Sequence, residues 1–155
     1  MTQWPKASAT CILVSGVPLV AEYEASAAIM PGDAVIFTAA TTIGPAGDNA
    51  EDCIGFALIT PNMITTTGAL TGAKRDQAFV SGDAVKVAKG DCFIMARLTP
   101  GQTIVRGMML QPAGSGELKE YECSSDNACQ LVAQAMESVT SVTLFQWILV
   151  NVRIN

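Results

Sequence analysis

The feature that most constrains the fold is that the apolar segments are short and end at proline, glycine or aspartate. Pro-Gly and Gly-Asp pairs favour tight turns, because glycine accepts positive φ and aspartate hydrogen-bonds to turn backbone. The spacing of the segments predicts an all-β domain, either an antiparallel barrel or a sandwich. The predicted strands cover residues 11–14, 17–23, 34–37, 53–59, 78–80, 84–87, 92–98 and 142–154.

The length of 155 residues suits one domain. Residues 1–10 lack periodicity and contain Trp4 and Pro5, so we predict an N-terminal arm followed by a single β domain over 11–155. Two roles for Trp4 remain open. It reaches a partner, or it folds back over the edge of the domain.

A weak internal repeat relates residues 28–60 to 97–138. Pro31-Gly32 leads to the small-residue segment 54–58, and Pro100-Gly101 leads to the similar segment 132–136. Apolar residues at helical spacing over 128–136 indicate a helix, whereas the repeat predicts a strand over 131–138. The repeat favours the strand.

Two turn-rich segments are candidates for contact with a partner. Residues 62–74 are rich in threonine and glycine, as expected of a long exposed loop or hairpin tip. Residues 111–122 combine Pro112 and two glycines with three glutamates. We predict that both segments are loops at the surface.

Composition excludes several classes of partner. Nine basic against fourteen acidic residues give a net charge of -5, which is unsuited to direct binding of nucleic acid. The apolar stretch 11–21 is shorter than the roughly 20 residues needed to span a membrane. Glu22 and Glu24 interrupt any resemblance to a secretory signal, so we expect an unexported protein without membrane contact.

The sequence offers little for catalysis. It contains no histidine, no phosphate-binding loop and no dinucleotide fingerprint. Its five cysteines form no CxxC pair and suit small buried residues in a reducing cytoplasm. The acidic groups at 48–52 and 117–122 lack calcium-loop spacing and indicate surface charge. We therefore predict no catalytic, cofactor or metal site.

Five motifs follow one another in a distinctive order. They are Pro31-Gly32-Asp33, 54–57, 82–90, 97–102 and 132–137. Their order resembles that of the capsid cement, or head decoration, proteins of tailed phages. The resemblance covers residues 28–154, although Gln102 replaces the usual aspartate, Ala133 replaces a glycine, and the excursion at 111–130 is long.

This resemblance implies a small β-barrel or β-tulip-like domain with no enzymatic activity and no cofactor. Such proteins form trimers that bind the major capsid protein on the outer surface of the expanded head and stabilise it. The chain would be made in the host cytoplasm and act in the virion. The residues expected to contact the capsid or another subunit are Trp4, Pro5, Ile64, Leu70, Arg97, Arg106 and Arg153.

Two other functions remain as alternatives. A virion adhesion module that binds host-surface glycans would present aromatic side chains on loops, whereas the aromatic residues here fall mostly in predicted strands. A trimeric β enzyme with a shared active site would need a cluster of Asp, Arg and Ser, which the sequence does not reveal.

Overall fold

The structure, a computed structural model, describes residues 12–59, 64–65, 68–69, 77–123, 128–140, 143–144 and 146–154. Strands dominate these residues, with one 3-10 helix at Ala128–Gln130, so the all-β prediction is confirmed. The strands are β1 (Leu13–Gly16), β2 (Leu19–Ala25), β3 (Ala34–Phe37), β4 (Thr42–Pro45), β5 (Cys53–Ala57), β6 (Ile64–Thr65), β7 (Gly68–Ala69), β8 (Ala84–Lys89), β9 (Cys92–Leu98), β10 (Thr103–Ile104), β11 (Met109–Gly114), β12 (Glu117–Glu120), β13 (Ala133–Ala135), β14 (Val139–Thr140) and β15 (Gln146–Val152).

Ten of these strands form two rings, each of five. The first barrel is closed in the order β2-β4-β3-β5-β8. The second barrel has the order β9-β12-β11-β13-β15, and the pairing of β15 with β9 closes it. Closure pairs the first strand of each ring with the last, so neither ring ends in a strand that is unpaired along its whole length. Strand β1 lies outside this ring and pairs with β9.

The two barrels have the same connectivity. In each, the first strand pairs in parallel with the third, as β2 with β4 and β9 with β12. The second and third strands form an antiparallel hairpin, as β3 with β4 and β11 with β12. The fourth strand, β5 or β13, pairs with the second and the last. The chain therefore builds one supersecondary unit twice.

Backbone hydrogen bonds fix which residues are equivalent. The Gly32 N–H donates to Ala57 O, and the Ala57 N–H donates to Asp33 O. In the second barrel the Gly107 N–H donates to Ala135 O, and the Ala135 N–H donates to Met108 O. Ala57 thus matches Ala135, as in the sequence comparison. Gly32 therefore matches Gly107 and not Gly101. The turn that contains Gly101, at residues 99–102, leads into β10, which is an additional strand of the second half of the chain.

The interiors hold the apolar residues that the strand periodicity selects. In the first barrel Val35, Ile43, Ala57 and Phe79 belong to one buried cluster. The second barrel contributes to a larger cluster that also includes Ala34, Phe56 and Ala88 from the first. These three residues lie on one face of the first barrel's strands, and Val35 and Ala57 lie on the other face. The two barrels are therefore packed against each other.

Several predicted elements differ from the structure. The predicted strand 78–80 is reduced to a bridge between Phe79 and Ile29. The predicted loop 111–122 is instead mostly the β11–β12 hairpin, because Pro112 and the glycines sit at a bulge and a turn while Leu118 is buried. Strand β13 occupies part of 131–138, and the β6–β7 hairpin lies within 62–74. The predicted arm, 1–10, lies outside the described residues.

Gly32 tests the contact between the barrels. Its φ is +87°, and an added Cβ would lie 2.7 Å from Trp147 and 2.8 Å from Met95 O. Gly107 has φ of +96° with nothing within 4 Å of an added Cβ. We expect Gly107→Ala to lower the free energy of unfolding by about 1–2 kcal/mol through φ alone. Gly32→Ala should cost about 1–3 kcal/mol more through overpacking. Chemical denaturation measures both, and equal losses would contradict the tight junction.

Candidate functional site

An ion cluster joins the two barrels. Asp33 ends the turn before β3, and its Oδ2 accepts the Met30 N–H at 2.7 Å. Its Oδ1 accepts a hydrogen bond from Arg97 Nη1 at 2.9 Å. Arg97 lies on β9, and its Nη2 donates to Glu117 Oε1 at 3.0 Å. One guanidinium thus links two carboxylates from separate elements, and the side chains of Arg97 and Asp33 are only 12% and 2% exposed.

The turn geometry explains why an aspartate stands at position 33. Asp83 makes the same contact in the equivalent Gly-Asp turn, where its Oδ2 accepts the Val80 N–H at 2.7 Å. Both carboxylates therefore close their own turns. Asp33 differs because its second oxygen reaches Arg97. The sequence predicts that this aspartate closes a turn, which accounts for the hydrogen bond to Oδ2. It does not predict the contact between Oδ1 and Arg97.

Burial dominates the electrostatics of Asp33. It raises the pKa of this carboxyl from 3.8 to about 7, against the lowering effects of Arg97 and of the Met30 hydrogen bond. The Glu117 carboxylate raises the pKa slightly further. The protonation state of Asp33 therefore changes near neutral pH.

The turn of the β11–β12 hairpin completes this junction. The Ala34 N–H donates to Gly116 O at 2.9 Å, and the Gly116 N–H donates to Ala46 O at 3.0 Å. A Cβ added at Gly116 would lie 2.4 Å from the Asp33 Cβ. On the same hairpin Lys119 Nζ pairs with Asp48 Oδ1 at 2.6 Å. These contacts assign the cluster a structural role, which is to fix one barrel on the other.

A shallow apolar groove of about 240 Å³ lies at one end of the first barrel. Tyr23 and Phe37 meet there edge to face, with ring centroids 5.1 Å apart. Burial, with a smaller contribution from Asp52, raises the pKa of the Cys53 thiol to about 12. That thiol is therefore neutral and contributes an apolar surface. The residues lining the groove are Leu19, Val20, Ala21, Tyr23, Phe37, Cys53, Ile54, Lys89 and Ile154.

A larger polar cleft of about 470 Å³ lies beside β12. Its amide side chains hold the strand, since Gln102 Oε1 accepts the Glu120 N–H and Gln111 Nε2 donates to Glu120 O. Lys119 in the same cleft is paired with Asp48. The polar side chains that line the cleft are therefore used to hold β12 in place.

The predicted contact residues are dispersed. Arg97 lies inside the junction, whereas Arg106 and Arg153 are exposed. Both exposed arginines lie near Gln134, which accepts a hydrogen bond from Arg153 and donates to the carbonyl of Gly107, next to Arg106. Ile64 lies in β6. Trp4, Pro5 and Leu70 lie outside the described residues.

Within the described ranges, no group of three Cys, Asp or Glu residues is placed to hold a metal ion. In the same part of the chain, no helix has the length and apolarity to cross a membrane.

Comparison with known proteins identifies a structural relative. No protein-family model and no curated protein sequence matches the chain. The chain does match the crystal structure of the N base of head fiber gp8.5 of bacteriophage phi29, with a TM-score of 0.53 and 13% sequence identity. The match covers 90% of this chain and 97% of the fiber base. The two proteins therefore share a fold over nearly their whole lengths.

Removal of Arg97 tests the ion cluster. Above pH 7, where Asp33 is mostly ionised, Arg97→Met leaves a buried carboxylate without its cation, so we expect a loss of about 3–5 kcal/mol in the free energy of unfolding. Arg106→Met, at an exposed position, should change it by about 0.5 kcal/mol or less. Asp33→Asn in the Arg97→Met background should recover part of the loss. An Arg97→Met protein as stable as the Arg106→Met protein would contradict the assignment.

The raised pKa of Asp33 predicts a pH dependence of stability. Between pH 4 and pH 7 the folded protein holds a proton at Asp33 that the unfolded chain has released. The free energy of unfolding should therefore fall as pH rises through this range. Asp33→Asn removes the titrating group, so its stability should change less over the same range. Thermal or urea unfolding at several pH values measures the stability of both proteins. Stability that depends on pH in the same way in both would contradict a raised pKa at Asp33.

Proposed function

We propose that this protein is a structural component of a phage virion that binds the outer surface of the head and stabilises it. The observation that carries the proposal is the fold shared with the phi29 head fiber base over 90% of this chain. The order of sequence motifs, which resembles that of head decoration proteins, supports it independently. In this role the protein acts by adhesion and performs no catalysis.

The packing of the barrels suits a protein that must transmit load. Each barrel closes on itself, and backbone hydrogen bonds and buried ions fix one on the other. A rigid body loses little conformational entropy when it binds, so more of the contact energy is retained as affinity. If three copies assemble, as the sequence resemblance implies, linked contacts raise the effective affinity beyond that of one copy.

We assign the polar part of the contact to the face that carries Arg106 and Arg153. Both side chains are exposed, and Gln134 ties Arg153 to the backbone beside Arg106. They are two of nine cationic residues in a chain of net charge -5, so they favour an acidic patch on the shell protein. Trp4, Pro5, Ile64 and Leu70 are assigned the apolar part of the contact.

Binding to heads tests the proposal directly. Heads of the phage that encodes the chain, prepared without it, are mixed with the purified protein and sedimented. We expect saturable binding and an increase in the temperature at which the heads release their DNA. An absence of saturable binding would overturn the proposal.

Charge reversal tests the assigned face separately. The double variant Arg106→Glu/Arg153→Glu should bind the same heads at least tenfold more weakly. Lys86→Glu, a single charge reversal at another exposed position, on β8 of the first barrel, is the control and should bind as the wild type does. Equal affinity of the two altered proteins would contradict the assigned face and leave head binding itself intact.

A further inference from the structure

The internal repeat allows the edge of β2 in the first barrel to be compared, residue by residue, with the edge of β9 in the second. Ala25 pairs in parallel with Ile43, and Leu98 pairs in parallel with Leu118, so Ala25 is equivalent to Leu98. Counting back along β2 and β9, Leu19 matches Cys92. In the same way Ala21 matches Ile94, and Glu22 matches Met95. The pairings of β2 with β8 and of β9 with β15 are consistent with this register.

In the second barrel this edge is covered by β1. Leu13 pairs with Ile94 and Gly16 with Cys92, antiparallel to β9. The Met95 N–H donates to Ile12 O at 2.9 Å. Ile12 is 1% exposed and packs into the same cluster as Cys92, Ile94 and Val132. An extended segment with one inserted aliphatic side chain therefore completes this end of the second barrel.

In the first barrel no described strand covers the equivalent edge. On this side β2 pairs only with β4, and only at Glu24 and Ala25. The Glu24 N–H points to this side, since it donates to Thr41 O, and strand periodicity directs the N–H groups of Val20 and Glu22 the same way. Leu19 is 66% exposed and Val20 is 49% exposed, whereas Cys92 is fully buried.

We propose that the edge of β2 at Leu19–Glu22, with the adjoining apolar groove, is a binding site for an extended peptide segment of another protein. The segment runs antiparallel to β2 and pairs with the backbone of Val20 and Glu22, as β1 pairs with β9. It places an aliphatic side chain opposite Glu22, in the groove near Ala21 and Phe37, as Ile12 lies opposite Met95 in the second barrel. This is strand addition, in which the backbone supplies affinity and the groove supplies selectivity.

We assign the occupant to a different protein, because every strand in the described part of the chain already has a pairing partner within it. A second copy would fill the site only by pairing its own β2 edge or by releasing a strand. The proposal does not rest on the proposed function.

Hydrogen exchange followed by NMR tests the open edge in the intact protein. The backbone amide of Glu22 should exchange at least a hundredfold faster than that of its equivalent, Met95, which is bonded to Ile12. Similar protection of the two amides would show that the edge is already covered, and would overturn the proposal.

A peptide with the sequence of residues 12–18, with blocked termini and a fluorescent label, is the probe for binding. It should bind the full-length protein saturably and protect the Glu22 amide from exchange. A peptide with lysine in place of its one isoleucine, at the position of Ile12, should bind at least tenfold more weakly. Failure of the parent peptide to bind saturably would overturn the proposal.

Protein variants locate the peptide site. Leu19→Lys places a charge in the groove at an exposed position, so the protein should still fold and should bind the peptide at least tenfold more weakly. Val17→Lys makes the same type of change two residues earlier, where the side chain is 90% exposed and outside the groove, and should bind normally. Equal binding by the two variants would refute the site. A wild-type dimer that Leu19→Lys converts to a monomer would assign the edge to a second copy and overturn the proposed partner.

Discussion

The guanidinium of Arg97 lies between the carboxylates of Asp33 and Glu117, and the relative position of the two barrels depends on this contact. An unpaired charge at the position of Asp33 would be costly, because that side chain is almost completely removed from solvent. Gly32 and Gly116 allow the approach, since a Cβ on either would collide with the opposing surface. Charge pairing and close backbone packing therefore act at the same place, and together they make two small barrels into one rigid unit.

Repetition of the unit makes the fold regular, and comparison of the two copies reveals the main difference between them. Each barrel closes through the same strand order, so most polar backbone groups are paired within the ring. The second barrel also receives β1, which buries Ile12, while the equivalent edge of the first barrel exposes Leu19 and Val20. A difference between two otherwise equivalent surfaces is more informative than exposure alone, because the filled copy shows which kind of segment fits the open one.

Sequence patterns predicted some elements well and others poorly, for identifiable reasons. Strands β3 and β9 have their predicted bounds, since mainly apolar runs between turn residues leave little ambiguity. Strand β4 was missed because Gly44 and Pro45 carry no strand preference, and the strand exists through its neighbours. The pairing of Asp33 with Arg97 spans 64 positions and leaves no local signal. The sequence places Leu19 and Val20 in a predicted strand, 17–23, but their exposure depends on which strands lie beside them in the fold.

Electron cryomicroscopy of the virus particle would reveal directly whether the protein binds the head as proposed. We expect each copy to appear as a pair of joined five-stranded barrels attached to the outside of the head, with the face of Arg106 and Arg153 against the shell. A particle whose outer surface lacks this density, while the protein is abundant in the infected cell, would contradict this expectation.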